Sequence, residues 1–169
     1  VLFIVRYGGE SNLEQVYRRT FGEKIPAGLS VLPLRVPRGL NSLFSSRAYS
    51  ILKREHQKNP LTAVFSRNTT FLSHMARLRK KLSVPVYYET HDFHADLSLR
   101  DDLSRKALKR RKRLEKLERR HIPRIDGVVC LHETQREVYR KVFPGVNFHV
   151  AGTGINRIHE HAPGGRFIT

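Results

Sequence analysis

The sequence has one cysteine, one methionine and no tryptophan among its 169 residues, and it has no long apolar run. A single cysteine, Cys130, cannot form an internal disulfide bond, which favours a reducing, cytoplasmic setting. A membrane-spanning helix needs about 20 apolar residues, and no stretch approaches that length. The apolar residues 1–5 are also too few for the apolar region of a signal peptide. These absences exclude an internally disulfide-bonded domain and a spanning helix.

Acidic residues are scarce as well. The chain has 15 Asp and Glu against 32 Lys and Arg, which gives a net charge of +17 at pH 7. Such an excess predicts a polyanionic neighbour: nucleic acid, an anionic membrane face or a phosphorylated ligand. The sequence argues against nucleic acid, because it has no tryptophan, no helix-turn-helix, zinc-finger or RNA-recognition motif, and no aromatic residues interleaved with the basic ones. Charge alone does not choose between the other two.

Short apolar runs alternate with segments of helical spacing along the chain. The predicted strands cover residues 1–5, 29–36, 61–65, 84–88, 127–131 and 147–151. Helices are predicted over residues 41–53, from a cap at Thr69 or Thr70 to residue 82, over 100–121 and over 132–143, with a short helical stripe after residue 12. This order, without hairpin signals, predicts an α/β fold: a Rossmann-like, doubly wound parallel sheet. Residues 1–158 would form this single domain, and residues 159–169 a linker and the start of a further domain.

Polar residues follow most of the predicted strands. Gly8, Gly9 and Glu10 follow the first strand, Arg67 the third, Thr90, His91 and Asp92 the fourth, Glu133 and Thr134 the fifth, and Gly154 the sixth. Because the carboxyl ends of parallel strands share one edge of the sheet, these residues should surround a single cleft. Glycine amides, hydroxyls and a guanidinium are suited to a polyhydroxylated, phosphorylated ligand. We therefore predict that this edge binds substrate.

His91 lies in the segment with the richest chemistry. Together with Asp92, His94 and Asp96 it raises a zinc hypothesis, since imidazole and carboxylate at short spacing can bind that metal. We predict no metal, because adjacent loop residues seldom point at one centre and no cysteine lies nearby. His91 is better suited to hydrogen bonding or charge stabilisation at the rim, with a loop histidine bonded to backbone as the alternative. For Cys130 we predict a packing role, since no Lys or Arg lies beside it in sequence.

Residues 100–121 are the most charged part of the chain. A narrow apolar stripe leaves a broad basic face, on which the predicted membrane contacts are Lys109, Arg110, Arg111, Lys112, Arg113 and Lys116. Asp101 and Asp102 are expected to complement the helix dipole at its beginning. Two interpretations remain open. The face is either solvated, as charge runs usually are, or it lies on anionic lipid, at about 1 kcal/mol for each basic residue near the surface.

Four segments together resemble the N-terminal half of retaining GT-B glycosyltransferases of family 4, the glycogen-synthase-like group. They are residues 8–10 (GGE), 88–92 (YETHD), 125–129 (IDGVV) and 152–156 (GTGIN), in order over nearly the whole chain. The resemblance implies an acceptor-binding domain that faces a second domain across a cleft, the second binding a nucleotide-sugar donor. It implies that His91 lies beside the transferred sugar and that the Gly8 and Gly9 amides contact donor phosphate or acceptor. Gly154 matches the family's strand-end glycine, although Asn156 stands where an aspartate is usual.

The resemblance also implies what the complete protein does. It should transfer a sugar from a nucleotide-sugar donor to an acceptor hydroxyl with retention of configuration, the acceptor being an envelope or lipid-linked glycan. No cofactor is expected, because the nucleotide sugar is itself a substrate. This chain alone should be inactive, since the carboxylates that bind the donor in this family lie in the C-terminal half of its members. The expected location is the cytoplasm, or the inner face of the membrane as a peripheral protein. The alternative is a basic, non-catalytic α/β module that binds an anionic membrane surface or nucleic acid.

Overall fold

The computed structural model describes residues 2–7, 28–37, 39–91, 93–94 and 104–151. The strands in these ranges are β1 (Leu2–Tyr7), β2 (Ser30–Arg35), β3 (Val64–Ser66), β4 (Val86–Glu89), β5 (Gly127–Cys130) and β6 (Phe148–Val150). The α-helices are α1 (Asn41–Lys58), α2 (Leu72–Leu82), α3 (Arg105–His121) and α4 (Glu133–Val142). Short 3-10 turns, Thr69–Phe71 and Ile122–Arg124, precede α2 and follow α3. Strand and helix thus alternate from β2 to β6, as predicted.

All the described strand pairs are parallel. β1 pairs with β2, while β3, β4, β5 and β6 form a four-stranded sheet in that order. Parallel neighbours need a crossover connection, and a helix supplies it between each pair from β3 to β6. The predicted α/β, Rossmann-like architecture is therefore confirmed. Its consequence for function is that the carboxyl ends of β3 to β6 lie along one edge of the sheet.

One face of the four-stranded sheet forms the hydrophobic core. Buried residues alternate along the strands and recur at helical spacing on α2: Val86, Tyr88, Val128 and Cys130 on β4 and β5, and Leu72, Met75 and Leu78 on α2. On the opposite face Phe65 is 66% exposed, and its ring stacks on Tyr87 with a centroid distance of 5.0 Å. Alternate residues of a strand therefore lie in the core and on the opposite face of the sheet. Because one face of each strand packs in the core, the polar residues at the strand ends are held in position.

Asp126 joins three elements just before β5. Its Oδ2 accepts a hydrogen bond from the Val86 backbone N–H at 2.9 Å, and its Oδ1 lies 2.9 Å from Arg79 Nε on α2. The next residue, Gly127, is buried, and a Cβ there would lie 3.2 Å from the Tyr87 ring and 3.3 Å from the Asn147 carbonyl oxygen. The Asp-Gly pair in the segment at residues 125–129 therefore has a structural reason. The carboxylate satisfies a strand-end amide, and the missing side chain lets neighbouring strands approach.

Two predicted boundaries near α1 are wrong. α1 continues to Lys58 instead of ending at residue 53. β3 begins at Val64 instead of residue 61, because the backbone N–H of Leu61 donates to His56 Nδ1 at 3.1 Å and so holds this residue against α1. Side-chain hydrogen bonds of this kind decide where an element ends, and apolar periodicity does not record them.

The predicted helix starts also need correction. The side chain of Asn68, and not Thr69 or Thr70, caps the turn before α2, accepting a hydrogen bond from the Thr70 N–H at 3.0 Å. α3 begins at Arg105 instead of residue 100, with Ser104 as its cap, and its first turn contains no acidic residue. Asp101 and Asp102, which were expected to complement the helix dipole, lie outside the described residues, so that expectation stays a prediction. Within the described ranges, no helix combines the length and apolarity needed to cross a bilayer.

Candidate functional site

Three side chains interact at the carboxyl ends of β3 and β4. Glu89 Oε1 lies 2.9 Å from His91 Nε2 and 3.5 Å from Arg67 Nε, while Arg67 Nη2 lies 3.5 Å from His91 Nδ1. An arginine N–H can only donate, so this arrangement fits the His91 tautomer that accepts at Nδ1 and donates from Nε2. All three side chains are partly exposed. The structure thus brings the predicted residues Arg67 and His91 together and adds Glu89, which sequence reasoning did not single out.

A buried hydrogen-bond network lies behind this cluster. The Tyr139 hydroxyl on α4 donates to Glu118 Oε1 on α3 at 3.0 Å and lies 2.6 Å from Thr90 Oγ1. Glu118 Oε2 accepts a hydrogen bond from the His94 backbone N–H at 3.0 Å. Thr90 and Glu118 are fully buried. The network therefore holds the chain on both sides of His91, at residues 90 and 94.

Charge and burial reinforce this network. Burial, followed by the nearby Glu118 carboxylate, raises the pKa of Tyr139 above its ordinary value, so its hydroxyl keeps the proton that it donates. Gln135 adds a second link. Its Oε1 accepts from the Leu131 backbone N–H at 2.8 Å and its Nε2 donates to the Thr90 carbonyl at 3.4 Å. The ends of β4 and β5 are therefore joined through one side chain of α4.

Sequence reasoning missed Glu118 because it lies in the most charged segment of the chain. A signal was present. Glu118 follows Leu114 by four residues and Ala107 by eleven, which continues the apolar stripe of α3. An acidic residue at a stripe position is a candidate for a buried, hydrogen-bonded carboxylate.

A cavity of about 980 Å³ opens beside the network, between the segment after β4, the first half of α3 and the start of α4. Its walls include His91 and His94 after β4, Lys106, Arg110 and Arg111 on α3, and His132 and Thr134 at the start of α4. The cavity thus joins His91 and Thr134, predicted for catalysis and substrate binding, with Arg110 and Arg111, predicted for membrane contact. Cavities of this size hold small-molecule ligands in other proteins.

The predicted basic face of α3 divides into two groups. Arg111 is half-buried, and its Nη2 donates to the Phe93 carbonyl at 3.2 Å. Arg110 lines the same cavity. The other four predicted contacts are exposed on the outer side of the helix: Lys109, Lys112, Arg113 and Lys116. Sequence periodicity alone had placed all six on one surface.

The other predicted substrate contacts differ in their surroundings. Thr90 is buried, so its side chain supports the network, and its contact with substrate stays a prediction. Glu133 is exposed and pairs with Arg136 of the same helix, with Oε2 2.6 Å from Nη2. The remaining predicted residues lie outside the described ranges: Gly8, Gly9, Glu10, Asp92 and Gly154.

Metal and thiol chemistry can be considered at the same edge. Among the described residues, no three His, Cys, Asp or Glu side chains are grouped as metal ligands would be. Asp92 and Asp96 of the zinc hypothesis fall outside those residues. Cys130 is buried, and this burial raises the pKa of its thiol to about 11, which keeps it protonated at neutral pH. This supports the packing role predicted for Cys130.

Comparison with protein-family models matches residues 8–154 to the glycosyl transferase 4-like domain. The matched range includes β2 to β6, the Arg67–Glu89–His91 cluster and the cavity. A search of curated proteins gave no match.

Proposed function

Because this chain belongs to the glycosyl transferase 4-like family, we propose that it is the acceptor-binding half of a retaining GT-B glycosyltransferase. A glycosyltransferase-type function follows from the family itself. The proposal adds a nucleotide-sugar donor, an acceptor hydroxyl, retention of anomeric configuration, and an envelope or lipid-linked glycan as acceptor. The observation that supports it best is the position of His91, which belongs to the cluster at the ends of β3 and β4 and also lines the cavity.

In the proposed reaction, the acceptor oxygen forms a bond to the anomeric carbon as the bond from that carbon to the nucleotide diphosphate breaks, and the proton of the acceptor hydroxyl passes to the departing diphosphate. The acceptor would occupy the cavity, and the donor would be held mainly by a second domain. His91 would orient the reacting groups or stabilise charge beside them. Glu89 and Arg67 contact its two ring nitrogens and would hold the imidazole in one orientation. The proposal assigns donor binding to a second domain, so transfer requires that domain.

Replacing His91 by Ala in the full-length protein tests this role. We expect transfer to fall by about 100-fold or more, the usual effect of losing one group that stabilises transition-state charge. Thermal stability should change little, since the side chain is partly exposed. His149→Ala is the matched control, because His149 is an exposed histidine on β6. Normal turnover by the full-length His91→Ala protein would show that the assignment is wrong.

A panel of nucleotide sugars tests the reaction class. We expect transfer from at least one donor, with the product keeping the donor's anomeric configuration, as read by NMR. A product with the inverted anomeric configuration would refute the proposed retention of configuration. Absence of transfer from every donor, with the full-length protein folded, would favour the non-catalytic binding module.

The outer side of α3 supports peripheral contact with the inner face of the membrane. Lys109, Lys112, Arg113 and Lys116 are exposed there. Each would contribute about 1 kcal/mol near anionic lipid, and this attraction weakens with salt. We expect the full-length protein to bind anionic vesicles but not neutral ones, and substitution of all four residues by Gln to abolish binding. Salt-sensitive binding to DNA without vesicle binding would instead favour a nucleic-acid module.

A further inference from the structure

The cavity beside His91 is strongly cationic. Lys106, Arg110 and Arg111 line it from α3, and none of its described lining residues is Asp or Glu. Lys106 and Arg110, four residues apart, are neighbours on the helix surface, and Arg111 lies about 100° further round the helix and lines the same cavity. Among the described lining residues no carboxylate lies beside these charges, so this wall of the cavity favours a ligand with negative charge of its own.

Two helix N-termini add to the same field. Ser104, whose side chain caps α3, and His132, whose Nδ1 caps α4, both line the cavity. The helices are 17 and 10 residues long, so each brings a partial positive charge to this end. Backbone N–H groups at a helix start favour anions, and here they reinforce the cationic side chains.

Arg111 is already held in position. Its Nη2 donates to the Phe93 carbonyl at 3.2 Å, and its buried Nε has no acceptor among the described residues. A guanidinium fixed in this way loses little conformational entropy when it meets an oxyanion. Arg110 and Lys106 are exposed and can approach the same anion from the rim.

We infer that the acceptor bound in this cavity carries a phosphate ester beside its sugar hydroxyls. A phosphate offers three strong acceptor oxygens and up to two negative charges, enough for several cationic donors, whereas a carboxylate is matched by one guanidinium. The phosphate group would lie against α3. The hydroxyl-bearing ring would face His91 and Thr134 on the other walls. That the ligand is the acceptor rests on the proposed function. The preference of the cavity for an anion does not depend on that function.

Direct binding to the full-length protein provides the test, with calorimetry as the measurement. The soluble probes are inorganic phosphate, glucose 6-phosphate and glucose; the lipid probes are phosphatidylcholine vesicles with and without phosphatidylinositol. We expect a phosphorylated probe to bind at least about tenfold more tightly than its neutral counterpart. Arg110→Gln and Lys106→Gln should each weaken that binding by about five- to tenfold. Arg120→Gln is the matched control, because it removes the same charge from the exposed side of the same helix, and it should change binding less than about twofold.

The outcomes separate the possibilities. Arg110-dependent binding of glucose 6-phosphate identifies a soluble phosphorylated acceptor, and Arg110-dependent binding of phosphatidylinositol vesicles alone identifies a lipid-borne phosphate. Equal affinity for the phosphorylated and neutral probes would overturn the inference. Equal losses in Arg110→Gln and Arg120→Gln would overturn it too, because net charge would then explain the binding. Transfer to neutral acceptors that is unaffected by Arg110→Gln would refute the phosphate while the proposed function stands. Phosphate-selective binding without any transfer would support the phosphate site and refute the proposed function.

Discussion

Replacing Tyr139 by Phe tests whether the buried network holds the segment around His91. The substitution keeps the ring, which packs edge-on against Phe93 with a centroid distance of 4.4 Å. It removes the hydrogen bond to Glu118 Oε1 at 3.0 Å and the hydroxyl contact with Thr90 Oγ1 at 2.6 Å. Both partners are fully buried, so bulk water cannot replace the lost hydroxyl.

The expected size follows from these two contacts. A hydrogen bond to a charged group contributes about 1.5–3 kcal/mol, and one between neutral groups about 0.5–1.5 kcal/mol. The free energy of unfolding should therefore fall by about 2–4 kcal/mol. For a domain of this size the midpoint of thermal unfolding should fall by about 4–16 °C.

Thermal unfolding followed by circular dichroism, with denaturant unfolding beside it, measures the change. Tyr87→Phe is the control, because its half-buried ring lies on the opposite face of the sheet and its hydroxyl takes no part in the network. We expect Tyr87→Phe to change the free energy of unfolding by less than about 0.5 kcal/mol. Equal shifts for the two variants would refute the reasoning, since the network would then contribute no measurable stability.

Three further predictions concern packing and protonation. Gly127→Ala should destabilise the fold by about 1–3 kcal/mol, because the added Cβ would lie 3.2 Å from the Tyr87 ring. Denaturant unfolding measures this change, and an unchanged midpoint would contradict the prediction. Burial, followed by nearby arginines, lowers the pKa of His74 and His121. As the pH falls below about 6.5, these two histidines therefore bind protons in the unfolded chain before they do so in the native protein. Stability should then fall as the pH drops below about 6.5, and replacing both histidines by Gln should flatten that dependence. Burial also raises the pKa of the Cys130 thiol to about 11, so iodoacetamide should label it far faster in denaturant than in the native protein, and rapid native labelling would contradict this.

The parallel sheet could be predicted because buried strands leave a local signature. The continuous apolar run at residues 127–131 predicted a buried strand, and the intervening amphipathic helices imply crossovers. Element ends were predicted less well. Leu61 is held by the side chain of His56, and α3 starts only where Ser104 can cap it. Such bonds depend on where one particular side chain points, and periodicity averages over that detail.

The amino-acid order by itself determined the succession of strands and helices, their parallel arrangement, the edge where Arg67 and His91 meet, and the large positive charge. These features follow from local periodicity and composition, which need no knowledge of distant partners. Only the tertiary structure decided that Glu118 is buried beneath His94 and Tyr139, and that Arg110 and Arg111 line the cavity instead of the outer side of α3. The pairs involved are separated by 24 and 21 residues in the chain. Their meeting depends on how far α3 is rotated about its axis when it packs, and a narrow apolar stripe within a run of basic residues leaves that rotation undefined.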